Sequence, residues 1–251
     1  MVNDTTREGR TAKAVSQWID AQTKAWRDAV KFVAIDMCTI FKAAVRDSLP
    51  HVTLVADRFH VAQLANAAVT EVRRRVTAQY RGRRGRKGNR ERELRNRLTR
   101  AAARMHAKQL DPMVQDLQGL PKKVGAPILA AWNCKEDLMD LLASTHTNPD
   151  RTVIAERLFR FYAGCADSGL KEMDRLAMTI QTWWPQIEAA IRSGVNNAGS
   201  EGTNRVIKTD ARNAFGYRNP ANQRLRARCA TTRRSRGYLS TRTSGKHGQR
   251  H

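Results

Sequence analysis

The chain has 251 residues, 41% of them hydrophobic, and 46 Lys and Arg stand against 23 Asp and Glu for a net charge of +23. That apolar fraction supports a folded core and excludes a wholly disordered basic protein, while the charge points to a polyanionic partner. No run approaches the ~18 uncharged apolar residues of a membrane span. The opening MVNDTTREGR lacks the apolar centre of a signal peptide, so the sequence reads as cytoplasmic, without a membrane partner. Cys38, Cys134, Cys165 and Cys229 stand too far apart for a zinc knuckle or a disulfide framework and are expected to be plain thiols.

The charge is localised. Between Arg73 and Arg100 there are 13 basic residues against Glu91 and Glu93, and from Arg205 onward another 13 against Asp210. These two segments hold the whole excess, and the rest of the chain is neutral. Arg predominates in both, which favours bidentate contact with phosphate, and phosphate contact is strengthened by release of counterions. A solvated helix face and a frayed tail would be the bland account, but it does not explain why the whole net charge sits in two places.

In chain order, Arg10 to Val30 sets Ala14, Trp18, Ala21, Ala25, Trp26 and Ala29 at helical spacing and predicts one amphipathic helix. Lys31 to Asp36 (KFVAID) reads as a short buried strand ending in an acid. A helix over Thr39 to Ser48 follows and stops before Pro50, and His51 to Asp57 (HVTLVAD) repeats the strand ending in Asp. Parallel strands joined by a helix bring their carboxyl ends to one edge of the sheet, so Asp36 and Asp57 are expected to be neighbours. Either acid alone is equally well explained as a helix cap or turn residue; their equivalent positions favour a site. From Phe59 a long helix places Val61, Leu64, Ala65, Ala68, Val69, Val72 and Val76 on one face, then runs out past Tyr80 into RGRRGRKGNRER, a basic loop. Helical segments recur over Glu91 to Leu117, Lys135 to Leu142, Arg151 to Cys165 and Leu170 to Ile191, punctuated by Pro112, Pro121, Pro127, Pro149 and Pro185. The turn-forming NNAGSEGTN then opens a helix near Ser200.

Two segments, VADRFHVAQLANAAVTEVRRRV and SEGTNRVIKTDARNAFGYRNPANQRLR, closely resemble the DDE transposases of bacterial insertion sequences. The resemblance is to the ISL-three family, in the branch with a D-x-x-H motif, here Asp57, Arg58, Phe59 and His60, and it extends from GRTAKAV to about Arg228. It implies an α/β, mostly helical fold: a partial RNase H-like core with a large all-helical insertion. Residues 1–60 would hold the N-terminal part of the core, 61–195 the insertion with the basic segment 73–100, 196–228 the C-terminal core helix region with the catalytic Glu, and 229–251 a basic flexible tail.

The resemblance further implies catalytic roles for Asp36, Asp57, His60 and Glu201, with Asp36 and Glu201 as ligands of a two-metal Mg2+ site for in-line phosphoryl transfer on DNA. Asp36 matches the family's second acid, Asp57 and His60 its D-x-x-H pair, and Glu201 its glutamate. The first acid precedes the helix that starts near Arg10 here, so the three leading strands, that Asp and the N-terminal zinc-binding and helix-turn-helix regions are expected to be missing and the metal site incomplete. A register taking Asp36, Asp57 and Glu201 as the full triad fits less well, because one short crossover joins Asp36 to Asp57. His60 is either a packed or capping histidine or a group near the scissile phosphate. Trp183 and Trp184 match the family's tryptophan and are either core aromatics or a stacking platform for a DNA base. DNA contacts are expected from Arg73, Arg74, Arg75, Arg83, Arg84, Arg86, Lys87, Asn204, Lys208, Arg212, Arg218 and Arg224. The implied partners are transposon-end and target DNA, together with further copies of this chain or of full-length transposase. The alternative is a non-catalytic DNA-binding remnant that modulates intact copies.

Overall fold

Two threonines divide the start of the fold. Thr11 and Thr23 each accept a hydrogen bond from the amide three residues on, Ala14 and Trp26, both at 3.2 Å. They thereby start separate helices, α1 (Ala12–Asp20) and α2 (Lys24–Ala29). The single helix expected over Arg10 to Val30 is therefore broken at residues 21–23, because a capping side chain draws the backbone out of helical geometry. The computed structural model describes residues 11–146, 150–214, 216–217 and 219–235.

The strand, helix, strand unit forms as read: β1 (Phe32–Ile35), α3 (Thr39–Ser48) and β2 (Thr53–Ala56). The strands pair in parallel, with Phe32 opposite Thr53 and Ile35 opposite Ala56. The Asp57 amide extends the ladder by donating to the Ile35 carbonyl at 3.0 Å. The remainder is helical. Helix α4 (Arg58–Arg81) buries Val61, Ala65, Val69, Val72 and Val76 at three- and four-residue spacing and ends at Gly82, whose φ of 64° suits a residue without a Cβ.

The stretch expected to be helical from Glu91 to Leu117 is interrupted instead. It contains α5 (Arg90–Glu93), α6 (Arg95–Leu98), a 3-10 turn at Ala102–Arg104 and α7 (Ala107–Gln118). Three long helices follow: α8 (Lys122–Ala143), α9 (Arg151–Ser168) and α10 (Lys171–Ser193). Helix α8 packs on α4, α7 and α9, while α10 packs on α4, α9 and β2. Pro112, Pro127 and Pro185 lie inside α7, α8 and α10 and do not separate helices, in contrast to their expected role as punctuation. Proline in a helix costs about 3 kcal/mol; here buried apolar residues on both sides, such as Val124 and Ile128 around Pro127, outweigh it.

Residues Thr11–Asn196 form one compact unit, and a second unit contains α11 (Ala198–Asn213) and α12 (Pro220–Ser235). Residues 229–235, read from composition as the start of a flexible tail, continue α12; the remainder of that segment lies outside the described residues. Among the described residues the fold is thus mostly helical with one small parallel sheet. Among the described residues no helix is long and apolar enough to cross a membrane.

Where α7 meets α8 the backbones nearly touch: a Cβ on Gly125 would stand 2.0 Å from the Leu117 carbonyl oxygen and 3.1 Å from the Leu120 Cβ. Gly125→Ala must push the helices apart and is expected to cost roughly 2–3 kcal/mol, read as a lower denaturation midpoint by circular dichroism.

Candidate functional site

The sheet register builds the site. Because Ile35 lies opposite Ala56, the next residues, Asp36 and Asp57, leave the strands side by side at the carboxyl edge. Asp57 also caps α4: its Oδ1 accepts from the Phe59 amide at 3.0 Å. The capping role and the site role thus coexist in one carboxylate. His60, in the first turn of α4, turns back toward the sheet, with Nε2 2.8 Å from Asp36 Oδ1 and 3.9 Å from Asp57 Oδ2.

One ligand atom from each of Asp36, Asp57 and His60 falls within 4.8 Å of the other two. The Asp57 side chain is only 4% exposed, whereas those of His60 and Asp36 are 33% and 56% exposed, so the cluster has one buried wall and one open side. Two carboxylates and an imidazole nitrogen suit a divalent cation, the oxygens matching Mg2+ or Mn2+. The sequence reading placed Asp57 and His60 among the catalytic residues and took only Asp36 and Glu201 as metal ligands; the geometry groups Asp57 and His60 with Asp36. Glu201 is carried on α11 in the second unit, and its side chain lies outside the described residues.

Helix α10 supports the sheet from behind. Lys42 of α3 donates to Gln186 Oε1 at 3.3 Å and stands 4.7 Å from the centre of the Trp183 ring. Trp183 is 5% exposed and Trp184 packs partly buried against the core, so both are core aromatics and not a surface platform for a base. The exposed aromatic of this neighbourhood is Phe59, 51% exposed and edge-on to His60 at 6.0 Å between ring centres. Sequence reasoning passed over it because it sits in the D-x-x-H motif as an unspecified position.

The basic residues divide. Arg73 is buried, and burial, followed by the nearby charges of Arg74 and Arg95, lowers its pKa. Arg75 is held by Glu172 through Nε at 2.5 Å and Nη2 at 3.0 Å. Both guanidinium groups are thus engaged within the helical body, Arg73 by burial and Arg75 by its carboxylate partner. Arg74, Arg83, Arg84, Arg86 and Lys87 are exposed, as are Lys208, Arg212 and Arg224 in the second unit. Arg218 lies outside the described residues, as does the side chain of Asn204 on α11.

Comparison with known proteins identifies the family. Residues 5–227 match the family model of the DDE transposases of the ISL-three type, described as transposase, and the chain belongs to that family. It is also similar to the transposase for insertion sequence element IS1001 of Bordetella parapertussis: 27% identical over 228 residues, covering 88% of this chain and 52% of the relative. The chain thus spans about half the length of the curated relative it matches. No solved structure matches it. DDE transposases generally use divalent metal ions, in keeping with the acidic cluster.

Two measurements probe the supports of the site. Trp183→Ala removes a buried indole and the surface beneath Lys42 and is expected to cost about 3–5 kcal/mol, well above the effect of Trp184→Ala in the same denaturation series. The hydrogen bonds from Arg75 hold the Glu172 carboxyl below its usual value of 4.5. A depressed carboxylate pKa gives stability that is present above the unfolded value and lost as pH falls through the folded one. The stability difference between the wild type and Glu172→Gln is therefore expected to be constant near neutrality and to shrink once the pH drops below 4.5.

Proposed function

We propose that the chain works in DNA-mediated transposition of an insertion sequence as part of a DDE transposase. In this reading an RNase H-like core, interrupted by the helical insertion, contributes Asp36, Asp57, His60 and Glu201 to a strand-cleavage and strand-transfer site. The exposed arginines hold transposon-end and target DNA. The observation that carries the reading is the convergence of Asp36, Asp57 and His60 within 4.8 Å at the carboxyl edge of two parallel strands.

Each residue has a distinct task. Asp57, buried and fixed by its cap to Phe59, is the rigid acid, with Oδ2 facing His60. Asp36, the more exposed acid, faces the side from which a phosphodiester approaches. His60, with Nε2 2.8 Å from Asp36 Oδ1 and 3.9 Å from Asp57 Oδ2, completes the cluster. Glu201, the glutamate that the family resemblance assigns to the site, is carried on α11. Asp36 and Asp57, with His60 beside them, would hold a divalent cation such as Mg2+, which when bound activates a water or DNA 3′-hydroxyl and stabilises the leaving oxygen. The basic surfaces position the DNA backbone without reading its sequence. Assembly with further copies of the chain, or with full-length transposase, at paired DNA ends belongs to the same reading.

Paramagnetic Mn2+, titrated into the purified chain and followed by water-proton relaxation, is expected to bind saturably and to be displaced by Mg2+. Asp36→Asn and Asp57→Asn should each weaken it by more than the roughly tenfold typical of losing an outer-shell partner. Where Mg2+-dependent nicking of the element's terminal DNA is detected, it should disappear in both variants. Equal metal binding and equal nicking by the wild type and Asp57→Asn would overturn the reading.

A further inference from the structure

The Arg- and Gly-rich segment between α4 and α5 has the composition of an unstructured linker, yet it is closed by specific contacts. At its start, Arg81 grips Glu91 with two hydrogen bonds of 2.6 and 3.2 Å, and the Glu91 side chain is fully buried. Burial alone would raise the Glu91 pKa, but these bonds hold it below its ordinary value, so the carboxylate stays charged. Within the loop, the Arg86 amide donates to Asn89 Oδ1 at 2.8 Å and the Gly88 amide to Glu93 Oε1 at 3.2 Å. Gly85 lies against α4 and α5, where a Cβ would meet the Thr77 methyl at 3.3 Å and the Arg92 Cβ at 3.5 Å. On the far side Arg90 reaches both Glu93 and Asp116, the latter at 2.5 Å.

Glu91, Glu93 and Asp116, the acids seen paired at the two ends of the loop, are thus taken by two anchor arginines, Arg81 and Arg90. Arg83, Arg84, Arg86 and Lys87 are left exposed and form no ion pair among the described residues. Behind them, Lys135 on α8, its side chain almost fully buried, donates to the Arg100 carbonyl at 2.6 Å, and Glu136 accepts from the Ala102 amide at 2.8 Å. The segment that follows the loop is thus tied to the helical core.

We propose that residues 82–89 form a preformed clasp for the phosphodiester backbone of duplex DNA, in which Glu91 is the positioning residue and Arg83, Arg84, Arg86 and Lys87 make the contacts. The inference rests on the DNA-binding reading above and adds to it the segment that grips and the means by which it is held. Four cations carried on a fixed loop meet phosphates without first losing the freedom of an open chain, which lowers the cost of binding. Duplex DNA is the occupant chosen because the loop between Arg81 and Arg90 holds cations and glycines but no aromatic side chain on which unpaired bases would stack.

The test is fluorescence anisotropy of the purified chain with a labelled duplex of arbitrary sequence, titrated at several salt concentrations. The fourfold variant Arg83→Ala, Arg84→Ala, Arg86→Ala, Lys87→Ala is expected to reduce the slope of log affinity against log salt by about 3 to 4. Glu91→Gln removes a negative charge, so charge counting alone expects equal or tighter binding; a clasp positioned by Glu91 expects weaker binding. Gly88→Val keeps every charge, has open space around its Cβ position and disturbs the φ of 86° at that residue. It is likewise expected to weaken binding, with unchanged helix content by circular dichroism.

A wild-type slope in the fourfold variant overturns the clasp and leaves DNA binding standing. Undiminished affinity in both Glu91→Gln and Gly88→Val overturns the preformed geometry. Absence of salt-dependent duplex binding by the wild type defeats the DNA reading and the clasp together. Preferential capture of single-stranded RNA at equal nucleotide concentration overturns duplex DNA as the partner.

Discussion

The amide of Asp57 donates to the carbonyl of Ile35, and that one bond fixes the relation on which the rest of the site depends. It closes a parallel ladder only four residues long on each strand and brings two carboxylates to the same edge. A slip of one residue would turn every side chain of the strand to the opposite face. The register is protected from both sides. Leu54, Val55 and Ala56 are buried on β2, α10 packs against that strand, and α3 is tied to α10 through Lys42, Gln186 and Trp183. The interior of the helical body thus serves a small sheet that contributes little area of its own.

Positive charge is organised by the same economy of contacts. An excess of 23 positive charges would spread as mutual repulsion if the acids were scattered among the arginines. Instead, Glu91 and Glu172 are buried and each is held by a single arginine in bidentate fashion, Arg81 and Arg75 respectively. Truncating either partner would leave an uncompensated charge inside the protein, so these pairs are costly to break whatever their net contribution to stability. In the loop between α4 and α5, by contrast, Arg83, Arg84, Arg86 and Lys87 are exposed and have no carboxylate partner among the described residues. Composition alone does not separate them from Arg81 and Arg90, which are tied to acids.

Much of this was legible in the sequence because it is local. The acid at the end of each of two apolar runs, the helix from Thr39 to Ser48 and the apolar face of α4 all follow from periodicity and punctuation within some twenty residues. The family resemblance was carried by two segments and is matched over residues 5–227. What stayed hidden depends on distant partners. Nothing near Arg75 announces Glu172, 97 residues away, and nothing in RGRRGRKGNRER distinguishes the anchors Arg81 and Arg90 from their neighbours. Pro127 lies outside the predicted helices because its local cost is visible in the sequence, whereas the packing that offsets it is not. The approach of His60 to Asp36 lay between these cases: the spacing placed the ring near Asp57, and only the strand pairing brought in the second acid.

The double duty of Asp57 bears on which substitutions the fold tolerates at the edge of the sheet. Its carboxylate starts a 24-residue helix as well as walling the acidic cluster. Selection for a folded chain alone thus confines position 57 to the few residue types able to cap a helix. Asp36 has no comparable protection: it is exposed, and its side-chain partner among the described residues is His60. Substitution at position 36 is therefore expected to cost the fold little, while position 57 stays restricted by the helix it starts. Of two neighbouring acids, the fold defends only one.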